Sequence, residues 1–518
     1  MIKRLTIAAF GILLLAACVE KDPDAGTVIP AIRIEQAQIT AFRATFTVTS
    51  VGVSRIDYGW GTTRERAEAL LHSAETESAS NAQTTLLLDN LEAETDYWLC
   101  AKGIGPDGDQ GNLASVSFTT GKGPSALYSW ERNRPGVPSF ADISLVTMGW
   151  HNANPPAWTM DRFASHVSYT DASGTPHWLF DCFLCIDGWD GKRGLSYSLA
   201  NGRYSAVKDS WQDLLDAWLG EDGALALLDQ AVDRAASLQL GTPPSKRYVI
   251  MSLPDPIRFQ YFSDKTSSTK YWGELSGRAL DFASVEDQKA AYRWYMDSCR
   301  ELFYQRRYKH LELAGFYILS EELPLAPDFF KSAGQSYTPG VDTINWEYKN
   351  WEELVPWASA YAHSCIEGLW WVPYHLAPGY KVWSELGFDC VFMQPNYYWD
   401  HDNVSHPLSA TENALKTYKM GIELEFEYSL VASVMADGRS GPDGNGSPTF
   451  YLKDVPMLRQ RVRDYMDMYK RTGLYGQLPV AVYSGTDAWN QLATSPDPED
   501  REMFLELCTF ISQSPLKK

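Results

Sequence analysis

Residues 421–427 read Gly421-Ile422-Glu423-Leu424-Glu425-Phe426-Glu427, three apolar side chains alternating with three carboxylates. A period of two marks an extended strand, so the two sets face opposite ways. The apolar set needs a covering layer. The acids need water, hydrogen bonds or partners, because burying an unpaired carboxylate is costly. A solvated edge strand would leave them in water; a barrel strand, covered by helices outside, would turn them into a polar interior. The rest of the chain favours the barrel. Seven further apolar runs occur at Ile143–Met148, Trp178–Cys185, Tyr248–Leu253, Leu311–Leu319, Leu369–His375, Cys390–Gln394 and Pro479–Tyr483, with strand seven itself over Ile422–Phe426. Helical patterns lie between them at Trp211–Ala236, Phe282–Arg307, Trp346–Ile366, Ser409–Met420 and Leu458–Thr472. Eight strands joined by helical connections predict a (β/α)8, TIM-like barrel over 127–518. No G-x-G-x-x-G or G-x-x-x-x-G-K-[ST] follows a strand, so no nucleotide cofactor is expected.

Ahead of the barrel, 28–121 shows short strand-like runs at Arg43–Thr49, Arg55–Trp60, Thr84–Leu88, Tyr97–Lys102 and Ala114–Thr119, separated by Gly, Asn and Asp clusters. That spacing predicts a small all-β sandwich, making the chain multidomain. Leu91-Glu92-Ala93-Glu94-Thr95-Asp96-Tyr97 has the form of a tyrosine corner, and with Phe118-Thr119-Thr120-Gly121 the segment resembles a fibronectin type III domain. A spacer role is expected for it.

The first residues form an address. Lys3 and Arg4 precede an apolar run from Leu5 to Leu15, then Ala16, Ala17 and Cys18. The run is shorter than the roughly 20 residues of a membrane-spanning helix, and the pattern is that of a secretory signal over 1–17. Leu15-Ala16-Ala17-Cys18 resembles a bacterial lipobox, which implies lipidation of Cys18. Residues 18–27 then form a tether, whose Glu20, Asp22 and Asp24 resemble the surface-export signal of Bacteroidetes lipoproteins. The expectation is a lipoprotein of the bacterial outer membrane, displayed at the cell surface and touching membrane only through its anchor. Cys182 and Cys185 sit three apart on an apolar strand, facing opposite sides, and read as small buried hydrophobes.

Composition narrows the ligand. The chain of 518 residues holds 45 Lys and Arg against 65 Asp and Glu, a formal charge of −20, which argues against nucleic acid as a partner. Aromatic residues make up 13%. Flat rings beside an acid excess suit neutral polar ligands such as carbohydrate, because rings stack on sugar C–H groups while carboxylates accept hydroxyl hydrogen bonds. No H-E-x-x-H occurs, and Asp400-His401-Asp402 with His406 reads as a solvated loop. The loop acids Asp443 and Asp454 fail the calcium-hand pattern, since Pro448 occupies the glycine position. No metal is expected.

In such barrels the chemistry sits at the C-terminal ends of the strands. Those ends carry Trp150 and His151, Asp187 and Trp189, Asp255, Glu321 and Glu322, His375, then Gln394, Asn396 and Tyr397, and finally Tyr483. Strand seven adds Glu423 and Glu425. Two carboxylates facing each other across a cleft are the equipment of glycoside hydrolysis. The expected pair is Glu321 as general acid/base and Glu425 as nucleophile, with Glu322 and Glu423 as the alternatives, and retention is the expected outcome. By position this resembles the large clan of retaining barrel glycosidases, although Ser320 stands where that clan commonly has Asn. His151, Asp187, Asp255, His375, Gln394 and Asn396 would bind hydroxyls; Trp150, Trp189 and Tyr397 would stack on rings, and Tyr483 completes the substrate-binding set.

Four stretches carry a family resemblance: Gly315-Phe316-Tyr317 through Glu321, Trp371-Val372-Pro373-Tyr374, Leu386-Gly387-Phe388-Asp389 on to Gln394-Pro395-Asn396-Tyr397, and Gly421-Ile422-Glu423-Leu424-Glu425. In this order they resemble bacterial proteins catalogued as domain of unknown function 4855. The resemblance implies a barrel, glycosidase-like and with no assigned substrate. The expected function is cleavage of a glycosidic bond in a polysaccharide or glycan; the alternative is a non-catalytic surface lipoprotein that binds glycan in the same cleft.

Overall fold

A computed structural model of the chain describes residues 30–121, 139–325 and 350–517, except 42, 72–76, 80–82, 89–90, 150–155, 199–203, 263, 401–404, 437–453 and 486. These residues fall into two compact units, one carrying the strands up to Thr119 and the other the elements from Asp142 onward.

The first unit is a β-sandwich. A three-stranded sheet orders Ala31–Ile39, Ala44–Val51 and Gln83–Leu88; a four-stranded sheet orders Glu77–Ala79, Arg55–Gly61, Asp96–Ile104 and Gln110–Thr119. Along Ala44–Val51 the buried positions fall on every second residue, as a half-buried strand requires. Phe46 from one sheet meets Phe118 from the other edge to face, ring centres 5.1 Å apart. The tyrosine corner is present, with the Glu92 N–H donating to the Tyr97 hydroxyl at 3.1 Å. The five expected strands are found, together with Ala31–Ile39, Glu77–Ala79 and a short helix, Arg64–Leu70. That helix starts where Thr63 Oγ1 accepts from the Arg66 N–H at 3.2 Å.

The second unit is a closed barrel of eight parallel strands. In chain order they are Asp142–Val146, Cys182–Cys185, Arg247–Leu253, Leu311–Ile318, Gly368–Trp371, Cys390–Met393, Gly421–Glu425 and Val480–Tyr483. Each overlaps its expected run, and they are numbered one to eight below. In strands one, two, five, six and seven every residue is buried; strands two, five and six accordingly read as unbroken apolar runs, whereas strand one buries Asp142 and Ser144 and strand seven Glu423 and Glu425. Cys182 and Cys185 are buried on strand two.

One expectation about a connection needs correction. The helix expected over Trp211–Ala236 is two helices, Lys208–Leu219 and Ala224–Ala235. A Cβ at Gly220 would lie 2.3 Å from the Asp216 carbonyl oxygen, so the chain leaves the first helix there on glycine. Strands five and six are joined by a 3-10 turn, Tyr380–Val382, not by an α-helix. Pro373, Pro378 and Gly379 crowd that short stretch and deny it a helical run.

Strand four carries a bulge. Its register with strand three slips where Val249 and Ile250 face Leu313 and Gly315, leaving Ala314 as the extra residue. Gly315 has φ +145°, and a Cβ there would lie 2.2 Å from the Gly368 carbonyl oxygen, so strands four and five close on a residue without a side chain. The bulge resets which side chains of Phe316–Ile318 turn inward, just ahead of Glu321.

At the opposite pole, buried Asp142 opens strand one and holds Lys517 Nζ at 2.8 Å; the same ammonium also reaches Asp181 and the Leu179 carbonyl. Arg247, fully buried at the start of strand three, pairs with Asp181 at 3.4 Å and lies over the Trp178 ring at 4.9 Å. Burial pushes Asp142 up to about 7 even with Lys517 beside it. Among the described residues no helix is long and apolar enough to cross a membrane.

Candidate active site

Strands four and seven are separated by strands five and six, so their side chains can meet only across the interior. They do. Glu423 and Glu425 are each 2% exposed, and Glu321 lies within electrostatic reach of both. The acids of strand seven therefore face inward, and the solvated-edge alternative is excluded. Among the described residues no lysine or arginine pairs with any of the three. Glu423 and Glu425 are buried and Glu321 half-buried, and with no counter-cation each carboxyl is pushed toward its neutral form.

Hydrogen-bond donors converge on one of the three. Glu425 Oε1 accepts from the Tyr465 hydroxyl at 3.0 Å and Oε2 from Trp399 Nε1 at 3.2 Å, while the Asn396 backbone N–H donates to the same carboxylate. Tyr465 comes from the helix Val455–Arg471 behind strand seven and also accepts from the Tyr398 N–H at 2.5 Å. Burial pushes Glu425 up to about 8, with a further push from Glu321, and the three donors pull it back. Glu321 accepts one amide, Gln394 Nε2 at 3.2 Å, and burial raises it. Glu423 is raised further, by burial and by both other acids, and has no hydrogen-bonding partner among the described residues.

Glu321 is fixed through its backbone. Its carbonyl accepts from the Tyr374 N–H at 3.1 Å, tying the end of strand four to that of strand five, and Trp371 Nε1 donates to the Ser320 carbonyl at 2.7 Å. Glu322, next along, is exposed and turned to solvent. Of the two acids at this end, Glu321 joins the cluster.

The other expected site residues divide. Gln394 and Asn396 belong to the cluster; Asn396 is 7% exposed, has left-handed φ +54°, and its side-chain Nδ2 is buried without a partner. Asp255 is buried at the end of strand three, within electrostatic reach of Tyr317, whose hydroxyl also feels Glu321 and Glu423. Tyr483 is half-buried in register with Glu425. His375 bonds Thr411 through Nδ1 at 3.3 Å and packs on His406; burial pushes it down to about 4, leaving it neutral near pH 7. Asp187 is engaged by the protein instead: Oδ1 accepts from the Met148 and Gly149 N–H groups at 2.7 and 3.0 Å, and Oδ2 from Trp218 Nε1 at 2.5 Å. Tyr397 bonds Asp464 at 3.2 Å and lies under Arg461, which occupies the face expected for a sugar. Trp189 is half-buried in a two-residue hairpin strand. Trp150, His151 and Cys18 lie outside the described residues.

Four site residues escape sequence reading: Tyr465, Trp399, Tyr317 and Tyr374. Tyr374 stands 36% exposed, its hydroxyl bonded to His406 Nε2 at 3.1 Å, with Glu425 and Glu321 in electrostatic range. Trp399 and Tyr374 each sit within three residues of a chosen position, which was the available signal. Tyr465 gives none, because on its helix it reads as core. Among the described residues no group of three His, Cys, Asp or Glu could hold a metal. A cavity of about 790 Å3 lies elsewhere, between the helices Val455–Arg471 and Pro498–Ser512, and none of the candidate acids lines it.

Solved structures similar to part of the chain are small β-sandwiches. The fn3 domain of human collagen alpha-1(XX) chain is 18% identical, with 20% of this chain and 97% of that one covered and a TM-score of 0.16. The fn3 domain of human contactin 1 is 12% identical, covering 23% and 97%, with a TM-score of 0.15. A computationally redesigned β-sandwich is 20% identical, covering 18% and 94%, with a TM-score of 0.14. No curated protein matches. A family model matches residues 142–333 and 341–439, which span barrel strands one to seven and every acid of the cluster. The chain belongs to the family described as Domain of unknown function (DUF4855).

Proposed function

We propose that the chain is a surface glycoside hydrolase whose TIM-like (β/α)8 barrel cleaves a glycosidic bond with Glu321 and Glu425. The fibronectin type III-like sandwich serves as a spacer, and a lipid on Cys18 anchors the protein to the outer membrane. One observation carries the reading: a buried carboxyl, Glu425, and a half-buried one, Glu321, from non-adjacent strands come within electrostatic reach in the barrel with unequal donor sets. Glu425, whose charge three donors steady once it is ionised, attacks the anomeric carbon. Glu321, raised by burial and bonded by a single amide donor, delivers a proton to the leaving oxygen, then removes one from water in the second step. Asn396 Nδ2, a buried donor in search of an acceptor, suits a substrate hydroxyl beside the nucleophile.

Glu425→Gln keeps the shape and removes the nucleophile. Reducing-end release from a panel of plant, fungal and host polysaccharides should vanish in this variant while its melting temperature does not fall below that of the parent. Release at the parental rate would sink the assignment. A binding role without cleavage gains support from both Glu425 oxygens being engaged already. A carboxylate has about four acceptor positions, however, so attack is not blocked. Glycan affinity with no product after long incubation would decide for binding.

A further inference from the structure

Large apolar or aromatic side chains exposed on the barrel unit fall into two groups. Leu238, Tyr304 and Ile366 lie at helix ends, whereas Tyr204, Tyr261, Tyr374 and Leu376 lie on connections that follow strands two, three and five, on the face that holds the acids. Tyr204 and Tyr261 are 39% and 38% exposed and form a pair, ring centres 4.3 Å apart at 64°, with their hydroxyls hydrogen-bonded.

The pair is built, not incidental. Tyr204 and Tyr261 form an antiparallel bridge between the two connections, and the Ser205 N–H donates to the Gln260 carbonyl at 3.0 Å. Ser205 Oγ donates to the Phe259 carbonyl at 2.6 Å, and Ser267 Oγ accepts from the Tyr261 N–H at 3.1 Å. Two loops that hold exposed rings this firmly lose little freedom on binding. Ser205 also bonds the Tyr271 hydroxyl, tying a further ring of the second connection to the first.

We infer that Tyr204 and Tyr261 form a stacking subsite for a sugar unit away from the cleaved bond, so that the ligand is an oligo- or polysaccharide chain. This rests on the glycan reading above. A ring face takes the C–H side of a pyranose, while the hydroxyls at its edge meet sugar hydroxyls. A monosaccharide glycoside held at Glu425 has no need of the pair; an extended chain gains from it.

The test uses full-length Glu425→Gln protein in native gels containing barley β-glucan, xyloglucan, galactomannan or yeast mannan. At least one polymer should retard it, and adding Tyr204→Ala with Tyr261→Ala should weaken that retardation about tenfold or more. Tyr304→Ala, an exposed ring elsewhere, should leave it unchanged, and circular dichroism melts should match throughout. Undiminished retardation of the double-tyrosine variant overturns the subsite, and so does the absence of retardation by any polymer. Polymer cleavage by the otherwise wild-type double-tyrosine variant at the parental rate overturns the subsite alone and leaves the hydrolase standing. Tyrosine-dependent retardation without product from the parent supports the subsite and removes the hydrolase.

Discussion

Glu425 is a residue under opposed forces. Desolvation and Glu321 favour its neutral form; Tyr465, Trp399 and the Asn396 N–H favour its charge. As nucleophile it must be ionised, so kcat/KM should fall as pH drops through its pKa, with the acid limb displaced from the ordinary glutamate range toward 8. Tyr465→Phe removes one donor and should move that limb higher; a limb that stays put would show that Tyr465 does not set the charge. Stability carries the same signature with a defined sign. The folded carboxyl keeps its proton up to about 8, whereas in the unfolded chain it ionises near 4.5. Between those values the folded state binds the extra proton, so this group lowers stability as pH rises, by at most about 5 kcal/mol. Glu425→Gln should therefore gain melting temperature relative to the parent between about pH 5 and 8. A constant difference across that window would contradict it.

At the scale of elements, Lys517 closes the pole of the barrel opposite the acids by pairing with buried Asp142. Lys517→Ala leaves that carboxyl without its cation and should destabilise the barrel unit by about 3 kcal/mol. Activity per folded molecule should stay unchanged, as denaturant melts and specific rates would show; an unchanged melt would mean Asp142 is neutral without help. Legibility also divides at this scale. All eight barrel strands were readable because apolar runs bounded by polar turns have one economical packing. The bulge at Ala314 was not, since it depends on how closely Gly315 meets Gly368. Asp187 looked like a ligand because it ends a strand, yet what it bonds is the connection after strand one. The Tyr465 donor was hidden because a helical tyrosine reads as core until its hydroxyl partner is known.

Over the whole molecule, the acid excess and the abundance of rings pointed to sugars before any site was placed. Part of the acid excess is now the interior cluster of Glu321, Glu423 and Glu425, and part of the ring content surrounds it as Tyr317, Tyr374, Trp399 and Tyr465. The proposed anchor is testable apart from the chemistry. Cys18→Ala should abolish incorporation of labelled palmitate and shift the protein from the membrane fraction to the soluble one; unchanged labelling would refute lipidation at Cys18. The central claim is the division of labour between Glu321 and Glu425. It is tested most directly by comparing both glutamine variants on a polysaccharide and on a matching dinitrophenyl glycoside, whose leaving group needs no acid. Glu321→Gln should lose about a hundredfold or more on the polysaccharide, yet form the glycosyl-enzyme from the activated substrate with a burst of dinitrophenolate. Glu425→Gln should be inert on both. Equal losses for the two variants on both substrates, or activity retained by Glu425→Gln, would contradict the account.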